Sequence, residues 1–182
     1  MRTIYTIGHS NHSVEDFIAL LEDKGITLLV DVRLSPYSRY CPQFNKETLA
    51  HALRAHDIEY AHAGQYLGGR PRDATCYKKR AIPPEGADYL HEVDYQEVMK
   101  REWFRQGIQR LLELAEEHVA AVMCSEEDPR QCHRHYLIAV YLKHNHPEVE
   151  VIHIRGDGNE FRARDLPDEV PEVTQAEQLS LF

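Results

Sequence analysis

Side chains capable of acid–base, nucleophilic or anion-binding chemistry follow each of five short apolar runs in the sequence. The runs span residues 3–7, 27–32, 58–62, 119–124 and 149–154, and such continuous apolar character is typical of buried parallel strands. In open parallel α/β sheets, ligands bind at the carboxyl ends of the strands. We therefore predict one polar cleft at that edge of a sheet. The residues that follow the runs are Gly8, His9, Ser10 and Asn11; Asp31, Val32 and Arg33; His62; Cys124, Ser125 and Glu126; and His153 and Arg155.

The densest group of reactive residue types lies between positions 124 and 134. Asp128 followed by Pro129 is a favourable start for a helix. We predict that a helix begins there, with its amino terminus facing the cleft and Cys132, His133 and Arg134 in its first turns. A helix amino terminus attracts anions and lowers the pKa of a nearby thiol.

Glu126 is the candidate general acid or base of the cleft, since it follows a strand directly. For Glu127, a role in this chemistry and a place in a solvated acidic turn are equally weighted alternatives. A lone histidine is more often structural than catalytic, and His9 gains weight only from its position at a strand end. The predicted catalytic residues are His9, Cys124, Glu126 and His133.

Arginines dominate the predicted anion-binding set. Asp31 and Arg33 lie on the same face of a strand, so they form a buried ion pair, or Arg33 is free to bind an anion. Asn11 and Asn45 have structural alternatives as a turn residue and a helix cap. Arg39 adds a second cation on the following loop. The predicted substrate- or anion-binding residues are Asn11, Arg33, Arg39, Asn45, Arg70, Arg130 and Arg134.

Two other chemistries are weaker alternatives. Cys124 and Arg130 have the Cys-x₅-Arg spacing of phosphatase and sulfurtransferase loops, but the acidic residues between them would repel a phosphate, and no glycine supplies a backbone cradle. We predict no cofactor, with zinc or iron as the alternative, because only His133 and His135 approach ligand spacing and residues two apart on a helix do not share a face.

Helical patterns separate most of the strand-like runs, which predicts an α/β domain with a mainly parallel sheet of about five strands. The first helix follows Ser13 and stops at Gly25, and the second follows Asn45. A third carries Phe104, Ile108, Leu111, Leu112 and Ala115, and a fourth carries Leu137, Val140 and Tyr141.

Residues 64–93 show no periodicity and contain Gly68, Gly69, Pro83, Pro84 and Gly86. A loop of this length in a compact domain is functional or disordered. Its basic residues alternate with Tyr66 and Tyr77, a mixture suited to phosphate contact and base stacking. An ordinary mobile surface loop is the equally weighted alternative, and a lid over a ligand is left open.

Composition and charge narrow the class of protein. The 182 residues carry a net charge of −9, which disfavours non-specific coating of DNA, yet clustered arginines permit a local anion site. Four cysteines without a Cys-x-x-Cys pair indicate reduced thiols. No apolar run approaches the length of a membrane span and no signal peptide is visible, so we expect a cytoplasmic protein without membrane contact.

Several motifs occur in the order found in a known bacterial and archaeal family. They are Thr6–Asn11, Asp31–Arg33 with Ser35, Pro36, Ser38 and Arg39, residues 42–46, residues 67–69 and residues 124–134. The chain resembles the family catalogued as domain of unknown function 488 over most of residues 3–155. The resemblance implies an α/β/α sandwich and no particular activity.

The carboxyl-terminal segment differs from the rest of the chain. From Asp165 onward it contains five carboxylates, two prolines and no Lys or Arg, so we expect residues 1–164 to form one domain and residues 165–182 an extended, mobile tail. The tail ends in Gln178, Leu179, Ser180, Leu181 and Phe182, which resemble the peptide that docks bacterial repair and replication proteins on the DNA sliding clamp. The alternative is that Leu181 and Phe182 fold back onto the core.

Together these features favour an enzyme of DNA maintenance that the clamp peptide recruits to DNA. Tethering would explain how an acidic protein finds DNA without a large basic surface. The expected reaction is hydrolysis or group transfer at a damaged base, nucleotide or phosphate. The alternatives are a non-catalytic nucleotide- or nucleic-acid-binding module, and a thiol-dependent transferase or phosphatase unrelated to DNA.

Overall fold

The computed structural model describes residues 1–172, in which six strands form one sheet with the order β3-β2-β4-β1-β5-β6. The first five strands are parallel, and β6 is antiparallel to β5. This confirms the predicted α/β fold and its five strands. The sequence reading missed β6, because its three residues are exposed and form no apolar run. The strands are β1 (Arg2–Gly8), β2 (Leu28–Asp31), β3 (Glu59–His62), β4 (Ala120–Cys124), β5 (Val149–Ile154) and β6 (Glu160–Arg162).

Helices cover both faces of the sheet. Ser13 caps the first helix, where its hydroxyl accepts a hydrogen bond from the Asp16 backbone N–H at 3.1 Å. In β4, Val122 packs into one apolar core and Met123 into the other, as expected for a strand buried on both sides. The helices are α1 (Val14–Asp23), α2 (Lys46–Arg54), α3 (Gly64–Leu67), α4 (Tyr89–Glu92), α5 (Tyr95–Met99), α6 (Glu102–Glu117) and α7 (Val140–Asn145).

Residues 64–93 form an ordered segment that packs against the body, rather than a mobile loop. Short helices occur at both of its ends, and Cys76 and Tyr77 are buried. The Tyr77 hydroxyl donates to the Pro71 carbonyl at 2.7 Å, and Tyr77 pairs with Val93 through an isolated β-bridge. Tyr77 therefore belongs to the core and is not placed to stack on a base, whereas Tyr66 is 46% exposed.

The chain after β4 differs from the predicted helix. The Asp128 side chain caps only a short 3₁₀ turn, Pro129–Gln131, and Cys132 then adopts an extended conformation. The π-helical turn Arg134–Ala139 follows and continues into α7. The prediction of a helix that begins at Asp128 and Pro129 is wrong, because the extended backbone at Cys132 interrupts it. The interruption turns the Cys132 thiol toward β4.

The acidic segment begins against the body of the protein. Lys143 forms an ion pair with Asp168 at 2.7 Å, and the His144 ring lies 2.6 Å from the same carboxylate. Val170 packs on the core beside α7. Residues 165–172 thus contact the domain body, and the expectation of a mobile tail from Asp165 stays a prediction. The predicted clamp peptide, residues 178–182, lies outside the described residues. Across residues 1–172, no helix has the length and apolar character to cross a membrane.

Candidate functional site

A cleft of about 470 Å³ opens at the carboxyl ends of β1, β2 and β4. Strands β1 and β4 are neighbours whose following connections leave in opposite directions across the sheet, the arrangement that creates a ligand crevice in open α/β sheets. The predicted polar cleft is therefore confirmed, but residues at the ends of three strands line it, and not residues at the ends of all five. Among the cleft-lining residues are His9, Arg33, Tyr37, Arg70, Tyr89, Tyr95, Cys124, Glu126, Cys132 and His133.

Two glycines allow other groups to approach closely around the cleft. A Cβ on Gly8 would collide with the Glu126 backbone carbonyl, so any side chain there would push β4's following loop away. A Cβ on Gly69 would meet the His133 ring at 2.6 Å. Gly8 is thus needed for close backbone packing, while Ser10, two residues further on, has a positive φ.

Arg33 is tied to Asp31 in a buried ion pair. Its Nε donates to Asp31 Oδ1 at 2.9 Å and its Nη2 to Asp31 Oδ2 at 2.6 Å. Nη2 also donates to the Phe44 carbonyl at 2.7 Å, and the Tyr60 hydroxyl donates to Asp31 Oδ2 at 2.7 Å. Of the two alternatives left open by the sequence, the structure contains the ion pair.

His9 orients this arginine. Its Nδ1 lies 2.7 Å from the Ser10 carbonyl oxygen, which can only accept, so Nδ1 carries the proton and Nε2 accepts from Arg33 Nη1 at 3.1 Å. Burial, assisted by the charge of Arg33, lowers the pKa of His9 to about 4. His9 is therefore neutral near pH 7, with its basic nitrogen already occupied by Arg33.

Two thiols meet at the floor of the cleft. The sulfur atoms of Cys124 and Cys132 lie 2.7 Å apart, and both cysteines are free. His133 places Nδ1 3.7 Å from the Cys132 sulfur. The Arg134 guanidinium donates to Cys124 Sγ at 3.1 Å, and its backbone N–H lies 3.5 Å from Cys132 Sγ. This combination of paired thiols, imidazole and guanidinium can generate and hold a thiolate.

Arg134 is fully buried, and within residues 1–172 no carboxylate lies within salt-bridge distance of it. Its remaining donors bind the carbonyl oxygens of Glu126 and Glu127, the latter at 2.5 Å, and Thr6 Oγ1 at 3.2 Å. An isolated buried cation costs several kcal/mol. The neighbouring groups able to carry a compensating negative charge are the two thiols.

The two thiols respond to this environment in opposite directions. Burial raises the pKa of Cys132, but the hydrogen bond from Cys124 and the charge of Arg134 outweigh it and lower the pKa to about 7. Burial and the neighbouring Cys132 raise the pKa of Cys124 well above its usual value. These opposite directions favour Cys132 as the member of the pair that loses its proton first.

A directional hydrogen-bond chain supports Arg134 from behind. The Pro167 carbonyl can only accept, so His135 donates to it from Nε2 at 2.8 Å and accepts at Nδ1 from His153 Nε2 at 3.0 Å. His153 Nδ1 then accepts from the Thr6 hydroxyl at 2.7 Å, which leaves Thr6 Oγ1 to accept from Arg134. The chain holds both histidines neutral, and burial lowers the pKa of His153 to about 2.

The other predicted anion-binding residues are distributed around the cleft. Arg70 lines it, with the guanidinium 4.5 Å from the Tyr89 ring centroid. Arg130 turns back onto Asp128 at 2.7 Å and does not line the cleft, so no phosphatase-like loop forms with Cys124. Arg39 stacks on Tyr40 at the surface.

Asn11, Asn45 and Arg134 also lie outside the cleft lining. Asn11 is exposed in the turn after β1. The Asn45 side chain accepts from the Ser38 backbone N–H at 2.7 Å and makes no capping bond to α2, although its backbone occupies the cap position. Arg134 lies behind the thiols with its donors bound to protein atoms.

No group of three or more His, Cys, Asp or Glu side chains is arranged to hold a metal ion in the part of the chain that the structure describes. The cysteines and His133 form the thiol cluster, while His135 is bound to His153. Zinc or iron remains the untested alternative of the sequence analysis.

A family model described as domain of unknown function DUF488 matches residues 13–141, well over half of the chain. The chain belongs to the DUF488 family. No curated protein and no solved structure matches it significantly. The DUF488 match includes β2, β4 and the thiol segment, so most of the cleft lies within the family domain.

Several residues that line the DUF488 cleft were not predicted as site residues from the sequence, among them Cys132, Tyr89 and Tyr95. Cys132 was assigned to a helix turn, although its eight-residue spacing from Cys124 across a strand end could have indicated a thiol pair. Tyr89 and Tyr95 lie in short helices without periodicity, so nothing in the local sequence distinguished them. Both tyrosines reach the cleft only through the packing of residues 64–93 against the sheet.

Proposed function

We propose that the chain is a thiol-dependent enzyme of DNA maintenance that carries out hydrolysis or group transfer on a damaged base, nucleotide or phosphate. Cys132 is the proposed nucleophile, and the terminal pentapeptide is the proposed means of recruitment to the DNA sliding clamp. The chemistry and the recruitment rest on separate observations and are tested separately.

The observation that carries the proposed chemistry is the buried Arg134, which has no carboxylate partner within residues 1–172. Its guanidinium contacts Cys124 at 3.1 Å, and Cys124 in turn lies 2.7 Å from Cys132. A buried cation of this kind favours a thiolate in the same cluster, and a thiolate is the reactive form of cysteine. A purely structural pair of thiols has no need for a guanidinium beside it.

The groups around the thiols support a covalent reaction. The neutral His133 imidazole, whose pKa burial lowers, places Nδ1 3.7 Å from Cys132 and can accept or return its proton. Glu126 lines the same cleft and is exposed, so its carboxyl group can exchange a proton with a leaving group or with water.

The cleft walls suit a substrate with both negative charge and a flat ring. Arg70 lines one wall. Within residues 1–172 it forms no ion pair with a carboxylate. Tyr37, Tyr89 and Tyr95 contribute aromatic surface. Arginine with tyrosine is the combination that proteins use to hold phosphates and stack bases.

Recruitment is supported by the sequence of residues 178–182, which lie outside the described residues. Within the described part, residues 165–172 run along α7 and are held there by Lys143 and His144. The body thus anchors the start of the acidic segment, and the proposed clamp peptide occurs within the ten residues that follow Glu172 in the sequence.

The chemistry is tested by the pH dependence of alkylation with iodoacetamide, followed by intact-protein mass spectrometry. We expect Cys132 to react with a midpoint near pH 7, and Cys132→Ser to remove that reaction. Cys41→Ser is the matched control, because Cys41 is more accessible and lies outside the thiol pair. A Cys132 midpoint at the ordinary value of ~8.5 would reject the proposed nucleophile.

The substrate class is tested by incubation of the protein with nucleotides and with oligonucleotides that carry damaged bases. The proposal expects product formation or a covalent mass adduct with the wild-type chain and neither with Cys132→Ser. Turnover that survives in the Cys132→Ser variant would overturn the thiol mechanism.

Recruitment is tested by a pull-down with purified bacterial sliding clamp. The wild-type chain should be retained and a chain lacking residues 178–182 should not, while both alkylate equally at Cys132. Equal retention of the two chains would reject the clamp peptide and leave a thiol enzyme without a demonstrated link to DNA.

A further inference from the structure

A second groove adjoins the cleft and shares part of its wall. Its volume is about 390 Å³, and Arg70 and Leu34 line both cavities. Both volumes fall within the range of ~300–1,000 Å³ typical of small-ligand sites. The two cavities are therefore neighbours, with Arg70 and Leu34 at their common boundary.

The groove combines cations with an aromatic surface. Arg72 is exposed, and Trp103, at the start of α6, is half-buried at the groove wall. Neither Arg70 nor Arg72 forms an ion pair with a carboxylate anywhere in residues 1–172. The acidic residue of the groove, Asp73, is bound by Arg101 at 3.1 Å. Two arginines thus remain available for anions next to an indole ring.

We propose that this groove binds the neighbouring nucleotide of a single-stranded nucleic acid whose reacting nucleotide occupies the cleft. The inference rests on the proposed function and specifies its substrate as a strand rather than a free nucleotide. Arg70 and Arg72 contact the phosphates on either side of the junction, and Trp103 stacks on the adjacent base. Basic side chains interleaved with aromatic rings are the usual platform for single strands.

A single strand fits the site better than a duplex. The thiols lie at the floor of the cleft and are almost completely buried, so the target atom must leave a base stack to reach them. The net charge of −9 also opposes the long phosphate contact that a duplex would make. A short strand needs few cations, and the groove supplies two.

The test is fluorescence anisotropy with labelled single-stranded oligonucleotides of one, two and eight nucleotides and with an eight-base-pair duplex. We expect the dinucleotide to bind about tenfold more tightly than the mononucleotide, since one stacked base adds roughly that factor, and the duplex to bind more weakly than the single strand. Two phosphate contacts predict a slope near −1.4 for log affinity against log salt concentration.

Variants identify the groove as the source of this affinity. Arg72→Ala should reduce the salt slope by about 0.7, and Trp103→Ala should remove about tenfold in oligonucleotide affinity while Trp103→Phe restores most of it. Arg110→Ala is the matched control, because Arg110 is an exposed cation on α6 that pairs with Glu113 and lies outside the groove. Thermal unfolding of each variant verifies the fold.

Equal affinity for one and eight nucleotides, or equal losses from Arg72→Ala and Arg110→Ala, would overturn the inference. In either case an alkylation midpoint near pH 7 at Cys132 would leave the proposed enzyme intact, acting on free nucleotides. Conversely, groove-dependent strand binding by a chain whose Cys132 has an ordinary pKa would support the groove and reject the thiol chemistry.

Discussion

Two buried arginines lie near the carboxyl end of β1, and their charges are balanced in different ways. Arg33 meets the Asp31 carboxylate through two hydrogen bonds of 2.9 and 2.6 Å. Arg134 meets carbonyl oxygens, a hydroxyl and the Cys124 thiol, with no carboxylate in salt-bridge range among residues 1–172. The first arrangement already contains a carboxylate that balances the guanidinium, whereas the second becomes neutral only when a thiol loses its proton.

The comparison separates a structural charge from a reactive one. Because the Arg33 guanidinium is paired with the Asp31 carboxylate, the Arg33 cluster can order the cleft wall but has no charge left over for catalysis. In the Arg134 cluster the compensating negative charge lies on a sulfur atom, and a thiolate sulfur is also a nucleophile. Similar burial of two identical side chains therefore leads to different chemistry, according to the partner.

Removal of the Asp31 charge should have the largest effect on stability. Asp31→Asn leaves Arg33 buried without a counter-ion, so we expect the free energy of unfolding to fall by about 3–5 kcal/mol. Urea denaturation measures the loss. Asp157→Asn, which removes an exposed carboxylate, should change stability by less than about 0.5 kcal/mol. Similar small losses for both variants would show that the Arg33 pair is not an obligatory element of the fold.

The pH dependence of stability should report His9. Its folded pKa of about 4 lies below the ordinary value of 6.5, so the folded state binds fewer protons than the unfolded chain. Stability from His9 is complete above pH 6.5, is lost as the pH falls toward 4, and amounts to about 3 kcal/mol. His9→Gln should flatten the decline in urea-denaturation midpoints between these two pH values. An unchanged decline would place the titrating group elsewhere, as at His153.

Replacement of Arg134 should change the reactivity of the thiols. Without the guanidinium, the alkylation midpoint of Cys132 should rise from about 7 to ~8.5 or higher, which reduces the thiolate fraction at pH 7 by about 15-fold or more. Arg134→Met is the variant that removes the charge. Arg134→Lys, which retains a charge, is the second variant in case Arg134→Met does not fold. Arg33→Met is the matched comparison, and an equal shift in that variant would contradict the division between the two clusters.

Thr6→Val should have the smallest effect. The substitution removes the hydroxyl that accepts from Arg134 and donates to His153, at a cost of about 1–2 kcal/mol in stability. Because the guanidinium keeps its contact with Cys124, the alkylation midpoint should move by less than about half a pH unit. A shift as large as that of Arg134→Met would mean that the hydrogen-bond chain, and not the charge alone, sets thiol reactivity.

Several parts of the site could be predicted because they depend on local sequence. A polar residue after a buried parallel strand must lie at the carboxyl edge of the sheet, which placed His9, Arg33, Cys124 and Glu126 in one cleft. The Asp31–Arg33 alternative was also visible, since residues two apart in a strand share a face. The same argument was wrong for His62 and Arg155, which do not line the cleft because β3 and β5 end beyond its opening.

The helix predicted at Asp128 illustrates the limit of local reasoning. The local residues favour a cap and a first turn, and a short 3₁₀ turn does form. The extended backbone at Cys132 prevails because Arg134 must reach the carbonyl groups of Glu126 and Glu127 from behind the strand end. That requirement involves the burial of a charge, which no local propensity describes.

The sequence by itself determined the alternation of strands and helices, the sheet edge that carries the cleft, and the acidic segment with its clamp-like ending, because each follows from the types and spacing of neighbouring residues. Only the tertiary structure decided which thiols meet, which arginine has a carboxylate, and which tyrosines face the cleft. These pairings join residues far apart in the chain, and they depend on how buried charges and hydrogen bonds are satisfied across the whole fold.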